Sequence, residues 1–306
     1  MKMKRFVSIA LCALMLLPIL AGCGAKTEPT VATAAPAATE AATTAPAAAE
    51  TTAPAALAED VQKIVDRGVL RVGVKNAVLG FGFQDELTGE YSGMEISLAQ
   101  KIAEYLGVDV EFTDVTAATR TELLDSGDID CVLATFTITE ERKKSWDFTT
   151  PYYTDYVTVL VEDASGIKTL ADLKDKKVGV SSGSTSGKAL VKAMIEAGVL
   201  SGDGFDADSF DPATWTDGVS FAQYDDYPTI STALSAGEVD AFCVDKSILA
   251  VYHTDGRSYI EDKFAPQEYG IATTKGSGMS ELCEKLVTEW LADGTIDALI
   301  AENGIA

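Results

Sequence analysis

LLDSGDIDCVLATFTIT (residues 123–139) and ALSAGEVDAFCVDKSIL (233–249) follow one plan. In each, a short helix-like run turns at a glycine, Gly127 or Gly237, and enters an apolar stretch flanked by acids that ends on a polar residue. The same motif twice in one chain predicts two similar α/β lobes. The polar residues at the strand ends fall where open α/β sheets bind ligands, and two such edges facing each other would form a cleft.

Outward from these stretches, VLRVGVKN (69–76) is echoed by KKVGVSSG (176–183). ALAEDVQKIVDRG (56–68) gathers Leu57, Val61, Ile64 and Val65 on one helical face, with Gly68 as a stop. MEISLAQKIAEYLG (94–107) does the same with Ile96, Ala99, Ile102, Ala103 and Leu106, and VDVEF (108–112) reads as the next strand. Thr119 and Glu122 stand at capping-box spacing before the first repeat. Helices and strands alternate, so the sheets are expected to be mostly parallel.

The first 22 residues carry Lys2, Lys4 and Arg5, then an apolar run from Phe6 to Leu20, and read as a signal peptide. LAGC (20–23) resembles a bacterial lipobox, which predicts lipidation of Cys23 and a membrane-anchored, extracytoplasmic protein; an ordinary secretory signal is the other reading. Residues 25–56 are Ala, Thr, Pro or Glu except Lys26 and Val31. Such a segment cannot build a core and is expected to be a disordered tether spanning ~30 Å as a coil; a glycosylated stalk has the same composition. No later run reaches the ~20 apolar residues of a membrane span.

The 306-residue chain has a formal charge of −23, and residues 1–22 hold three basic and no acidic side chains, so without them it is −26. That field disfavours nucleic acid and anionic lipid as partners. Cys131, Cys243 and Cys283 lack metal-ligand spacing and are expected to be unpaired, buried thiols.

Several stretches together resemble the polar amino-acid binding proteins of ABC importers, most closely the aspartate/glutamate-binding branch. They are LRVGVKN, TGEYSGMEISLAQKIAEYLG, ATFTITEERKK, DFTTPYY, VGVSSGST, VDAFCVDKSIL and QEYGIATTK. The resemblance implies an α/β, two-lobed periplasmic-binding-protein-like fold, each lobe a mostly parallel sheet flanked by helices. Two crossing strands near 151–157 and 269–273 would join residues 57–155 and 271–306, the first lobe, to 156–270, the second. It implies a monomer that closes over an acidic amino acid and delivers it to permease subunits, with no cofactor or metal. Glutamine or cystine is the alternative ligand.

The resemblance also assigns roles. Thr135, Thr137 and Arg142 match residues that bind the ligand's α-carboxylate, and a planar guanidinium suits a carboxylate through paired charge-assisted bonds. Thr139 is expected to cap the short helix carrying Arg142. Thr185, at the start of GKALVKAMIEAG, would share that carboxylate; Ser184 beside it is read either as a further ligand or as a helix-start hydroxyl. Asp245 matches the acceptor of the α-ammonium, its other reading being a helix N-cap. Lys75 and Arg120 match the pair that holds a distal carboxylate, and Tyr227 and Tyr269 the tyrosines that complete the cage. Met94, Glu95 and Ser97 depart from the family pattern, a change expected to concern helix packing. The Asp-rich segment 199–218 lacks a calcium-loop pattern and is expected to be solvated.

A dehydratase exists on the same fold, but His253 is the chain's single histidine and no G-x-S-x-G, metal cluster or nucleotide loop is present. Binding rather than catalysis is expected. A sensory or adhesive surface lipoprotein would share the fold.

Overall fold

The structure, a computed structural model, describes residues 57–305. The predicted signal peptide, Cys23 and the tether lie outside them.

The chain starts with helix α1 (Glu59–Arg67) and strand β1 (Val69–Val74), then a small three-stranded sheet of β2 (Ala77–Val78), β3 (Gly82–Gln84) and β4 (Tyr91–Ser92). Next come α2 (Met94–Leu106), β5 (Asp109–Asp114), α3 (Thr119–Ser126), β6 (Cys131–Leu133) and β7 (Trp146–Phe148). The second lobe holds β8 (Tyr153–Glu162), β9 (Lys177–Ser181), α4 (Ser186–Glu196), β10 (Ser220–Tyr224), α5 (Tyr227–Ala236), β11 (Ala241–Asp245), α6 (Lys246–Leu249), β12 (Arg257–Tyr259) and β13 (Phe264–Tyr269). The chain then returns to the first sheet through β14 (Ala272–Thr274) and ends on α7 (Gly278–Ala292) and α8 (Thr295–Glu302).

The first sheet has the order β5-β1-β6-β14-β7, and the second β10-β9-β11-β8-β12, with β13 on the far part of β8. In each, three parallel strands run in from one edge: β1 lies between β5 and β6, and β9 between β10 and β11. Antiparallel strands extend both, so the sheets are mixed. The chain leaves the first sheet between β7 and β8 and re-enters it between β13 and β14. Beside these passages Tyr153 of β8 pairs with Tyr269 of β13.

Both faces of each sheet are covered, which is why the central strands read as unbroken apolar runs. In β6, Cys131 and Leu133 face a cluster containing Ile96, Leu98 and Ile102 of α2, while Val132 faces Leu124 of α3. In β11, Phe242 and Val244 join Ile230 and Leu234 of α5, while Ala241 and Cys243 join Leu190, Val191 and Met194 of α4. Successive side chains alternate across a strand, so each sequence repeat supplies two core faces. Cys131, Cys243 and Cys283 are free and buried.

Three local expectations are corrected. Leu57 precedes α1 and is exposed, so the buried face of that helix rests on Val61 and Ile64. Thr119 lies inside α3 and makes no capping box with Glu122; its hydroxyl and that of Thr116 each accept the other's backbone N–H. The 199–218 segment is anchored as well as solvated: the rings of Phe205, Phe210 and Trp215 lie 5.6–5.8 Å apart and pack against the second-lobe core. Its acids shape turns, Asp206 taking the Asp208 N–H and Asp211 that of Ala213.

Candidate functional site

The two lobes meet where the repeats end. Lys75 follows β1, Thr135 and Thr137 follow β6, Ser184 and Thr185 follow β9, and Asp245 closes β11. Contact there demands glycine: Gly183 has φ 72°, and a Cβ on it would stand 2.8 Å from the Ala117 carbonyl oxygen of the other lobe. Arg142 spans the junction, donating to the Thr137 carbonyl at 2.7 Å and to the Gly183 carbonyl at 3.1 Å.

Eight of the ten predicted ligand residues wall one narrow cavity of about 10 Å3: Arg120, Thr135, Thr137, Arg142, Ser184, Thr185, Tyr227 and Asp245. The other two sit apart. Lys75 lines an adjoining cleft of about 650 Å3 that shares Tyr227 with the small cavity. Tyr269 lies behind Asp245 and donates its hydroxyl to that carboxylate at 2.5 Å, so it supports the site rather than lining it.

Buried polar atoms without partners concentrate here. Among the described residues six side-chain atoms are in that condition, and four of them, Arg120 Nε, Thr135 Oγ1, Ser184 Oγ and Ser186 Oγ, belong to residues lining the small cavity. Buried polar groups are ordinarily satisfied, so the clustering points to a polar ligand.

The cations are equally unbalanced. Lys75, Arg120 and Arg142 form no ion pair among the described residues, whereas Arg67 and Arg71 pair with Asp130 and Arg257 with Glu162. Burial holds the Lys75 ammonium well below its usual value, and neighbouring Arg120 adds to the effect. Burial also lowers Arg120 to about 10, and burial with Arg120 lowers Arg142 to about 9. Both guanidiniums lie over the Phe136 ring, 3.7 Å for Arg120 and 4.7 Å for Arg142, ring centroid to Cζ. A ring face stabilises a cation without neutralising it, which leaves both charges free to attract an anion.

Asp245 occupies the N-cap position of α6, but its side chain caps nothing. Asp155 accepts the Ser247 N–H at 2.9 Å instead. Burial raises Asp245 to about 7 against the pull of Tyr269 and the two arginines. Thr139 accepts the Arg142 N–H at 3.1 Å, as expected of a cap.

Five contributors were not foreseen: Ser186, Phe136, Asp155, Glu95 and Gln267. Gln267 Oε1 accepts the hydroxyls of Thr137 at 2.9 Å and of Thr185 at 2.8 Å, one from each lobe. Glu95 was expected to serve helix packing, yet it accepts the Thr135 N–H. Only its position beside Met94, at the buried start of α2, hinted at this.

Residues 70–303 match the family model described as bacterial extracellular solute-binding proteins, family 3. The glutamine-binding protein of Geobacillus stearothermophilus is 30% identical over 89% of this chain and 93% of its own length. The L-cystine-binding protein TcyJ of Escherichia coli (strain K12) is 32% identical over 78% of this chain and 84% of its own. Among solved structures, an ancestral arginine-binding protein bound to arginine is 36% identical with a TM-score of 0.64, covering 77% of this chain and 98% of that one.

Proposed function

The chain belongs to the bacterial extracellular solute-binding proteins, family 3, and from that membership we propose that it captures an acidic L-amino acid, aspartate or glutamate, for an ABC importer. The relatives bind glutamine, cystine and arginine by name, so the ligand has to be argued from this chain's own site.

One observation carries the acidic reading: Lys75 and Arg120 are 4% and 3% exposed and neither has a carboxylate partner among the described residues. An unpaired buried charge is costly, and a distal carboxylate supplies the missing counter-charge. Thr135, Thr137, Arg142, Ser184 and Thr185 take the α-carboxylate, and Asp245 the α-ammonium. Guanidiniums, hydroxyls and one carboxylate suit capture of a zwitterion, so the activity is binding and release, not catalysis. Cys23 would carry the lipid that keeps the protein at the membrane.

A second reading has its own observation. The cleft lined by Lys75 holds about 650 Å3, more than a glutamate side chain fills, and a longer dipolar ligand such as cystine would place its second head there. Calorimetric titration with glutamate, aspartate, glutamine, asparagine, cystine and arginine decides. Tightest binding of either acid is expected; tighter binding of an amide, cystine or arginine overturns the proposal.

A further inference from the structure

Glu95 lies in the first turn of α2 and is completely buried. Its Oε1 receives two donors from distant parts of the chain, the Thr135 backbone N–H at 2.6 Å and the Tyr152 hydroxyl at 2.5 Å. Its Oε2 has no partner.

Thr135 is the unusual residue of this trio. Its φ is +44°, one of three positive values among the described non-glycine residues. A β-branched side chain resists that region, so the conformation needs an outside hold. The N–H bonded to Glu95 is that hold. The consequence is visible at the other end of the residue: Thr135 lines the ligand cavity, and its Oγ1 is buried and unpartnered.

We propose that Glu95 is a positioning residue of the amino-acid site: through Oε1 it holds Thr135 in the left-handed conformation that presents its hydroxyl to the ligand, and it ties that loop to Tyr152, where the chain leaves the first lobe. The role concerns the α-carboxylate end, so it holds for any amino-acid ligand and stands apart from the acidic reading. The charged groups acting on Glu95 are Lys75 beyond β1 and Arg120 of α3, both cations. Burial outweighs them and raises the carboxyl to about 7. Both donors converge on one oxygen, so a glutamine with its carbonyl at Oε1 keeps both bonds, and alanine keeps neither.

Calorimetric titrations with glutamate and glutamine test this on wild type, Glu95→Gln, Glu95→Ala, Thr135→Val and the Glu95→Ala/Thr135→Val double variant. For each ligand that wild type binds, Glu95→Gln should stay within about threefold of wild type, whereas Glu95→Ala should lose about tenfold or more. The double variant should bind about as weakly as Thr135→Val alone, because residues acting through one contact are not additive. A second measurement does not need the alanine variant to fold: in 15N-labelled wild type the Thr135 amide proton should move with pH, with a midpoint near 7, and should stay still in Glu95→Gln. Binding by Glu95→Ala within about twofold of wild type, additive losses, or a Thr135 amide blind to that titration each overturns the proposal.

Discussion

Asp155 caps the helix that Asp245 begins. Its Oδ2 takes the Ser247 backbone N–H at 2.9 Å as well as the Ser247 hydroxyl, while Asp245, at the N-cap position itself, makes no capping bond. The hydroxyl of Tyr269 connects the two acids, 2.5 Å from Asp245 and 3.4 Å from Asp155. Division of labour explains how a strand-end aspartate stays free for a ligand: its neighbour on β8 satisfies the backbone in its place.

Asp245→Asn should therefore weaken all amino-acid ligands alike, since the α-ammonium is common to them. Breaking a buried charge pair costs roughly 3–5 kcal/mol, or about two to three and a half decades in affinity at ~1.4 kcal/mol per decade. Titration of the variant with the ligands that wild type binds checks this. Unequal losses among them would assign the ammonium to another group.

The same carboxyl gives a pH dependence of known sign. Burial raises Asp245 from 3.8 to about 7, and an ammonium beside it favours the charged form. Below 7 binding must then release a proton, and affinity should fall by up to about tenfold per pH unit as pH drops. Above 7 this contribution is flat. Affinities measured from pH 5.5 to 8.5 should show the bend in wild type and a shallower one in Asp245→Asn, where Glu95 is still raised to about 7.

Gln267 joins the lobes through a single oxygen, shared by Thr137 and Thr185. Replacing it with methionine keeps the volume and removes the acceptor. Small-angle scattering of ligand-free Gln267→Met should show a larger radius of gyration than ligand-free wild type, and the two should converge at saturating ligand. Identical ligand-free curves would mean that the amide does not hold the lobes together.

Much of this architecture is legible in the chain. The paired strand-end motifs locate Thr135, Thr137 and Asp245, and the spacing of Ile96, Ala99, Ile102 and Leu106 marks the buried face of α2 because helical periodicity is a local property. The unread features depend on partners far away in sequence. Glu95 and Thr135 are 40 residues apart, and Gln267 and Thr137 130 apart, so no local pattern announces either contact. Phe136 reads as ordinary core, and its contact with two guanidiniums appears only once α3 and the Arg142 turn are brought together. The aromatic anchor of the 199–218 segment was hidden by its acids, which dominate the composition but serve only turns.

Lys75 makes the most demanding prediction. Burial and Arg120 hold its ammonium well below its usual value, so an anionic side chain beside it favours the charged form and an amide does not. Lys75→Met should narrow the preference for glutamate over glutamine, while recognition of the α-groups by Arg142 and Asp245 persists. Part of that preference is a penalty on the wrong partner, so the variant should gain glutamine affinity relative to glutamate. Calorimetric titrations of wild type and variant with both ligands measure the change. An unaltered preference would show that Lys75 does not face the ligand's side chain, and Arg120→Met would then have to account for the selectivity alone.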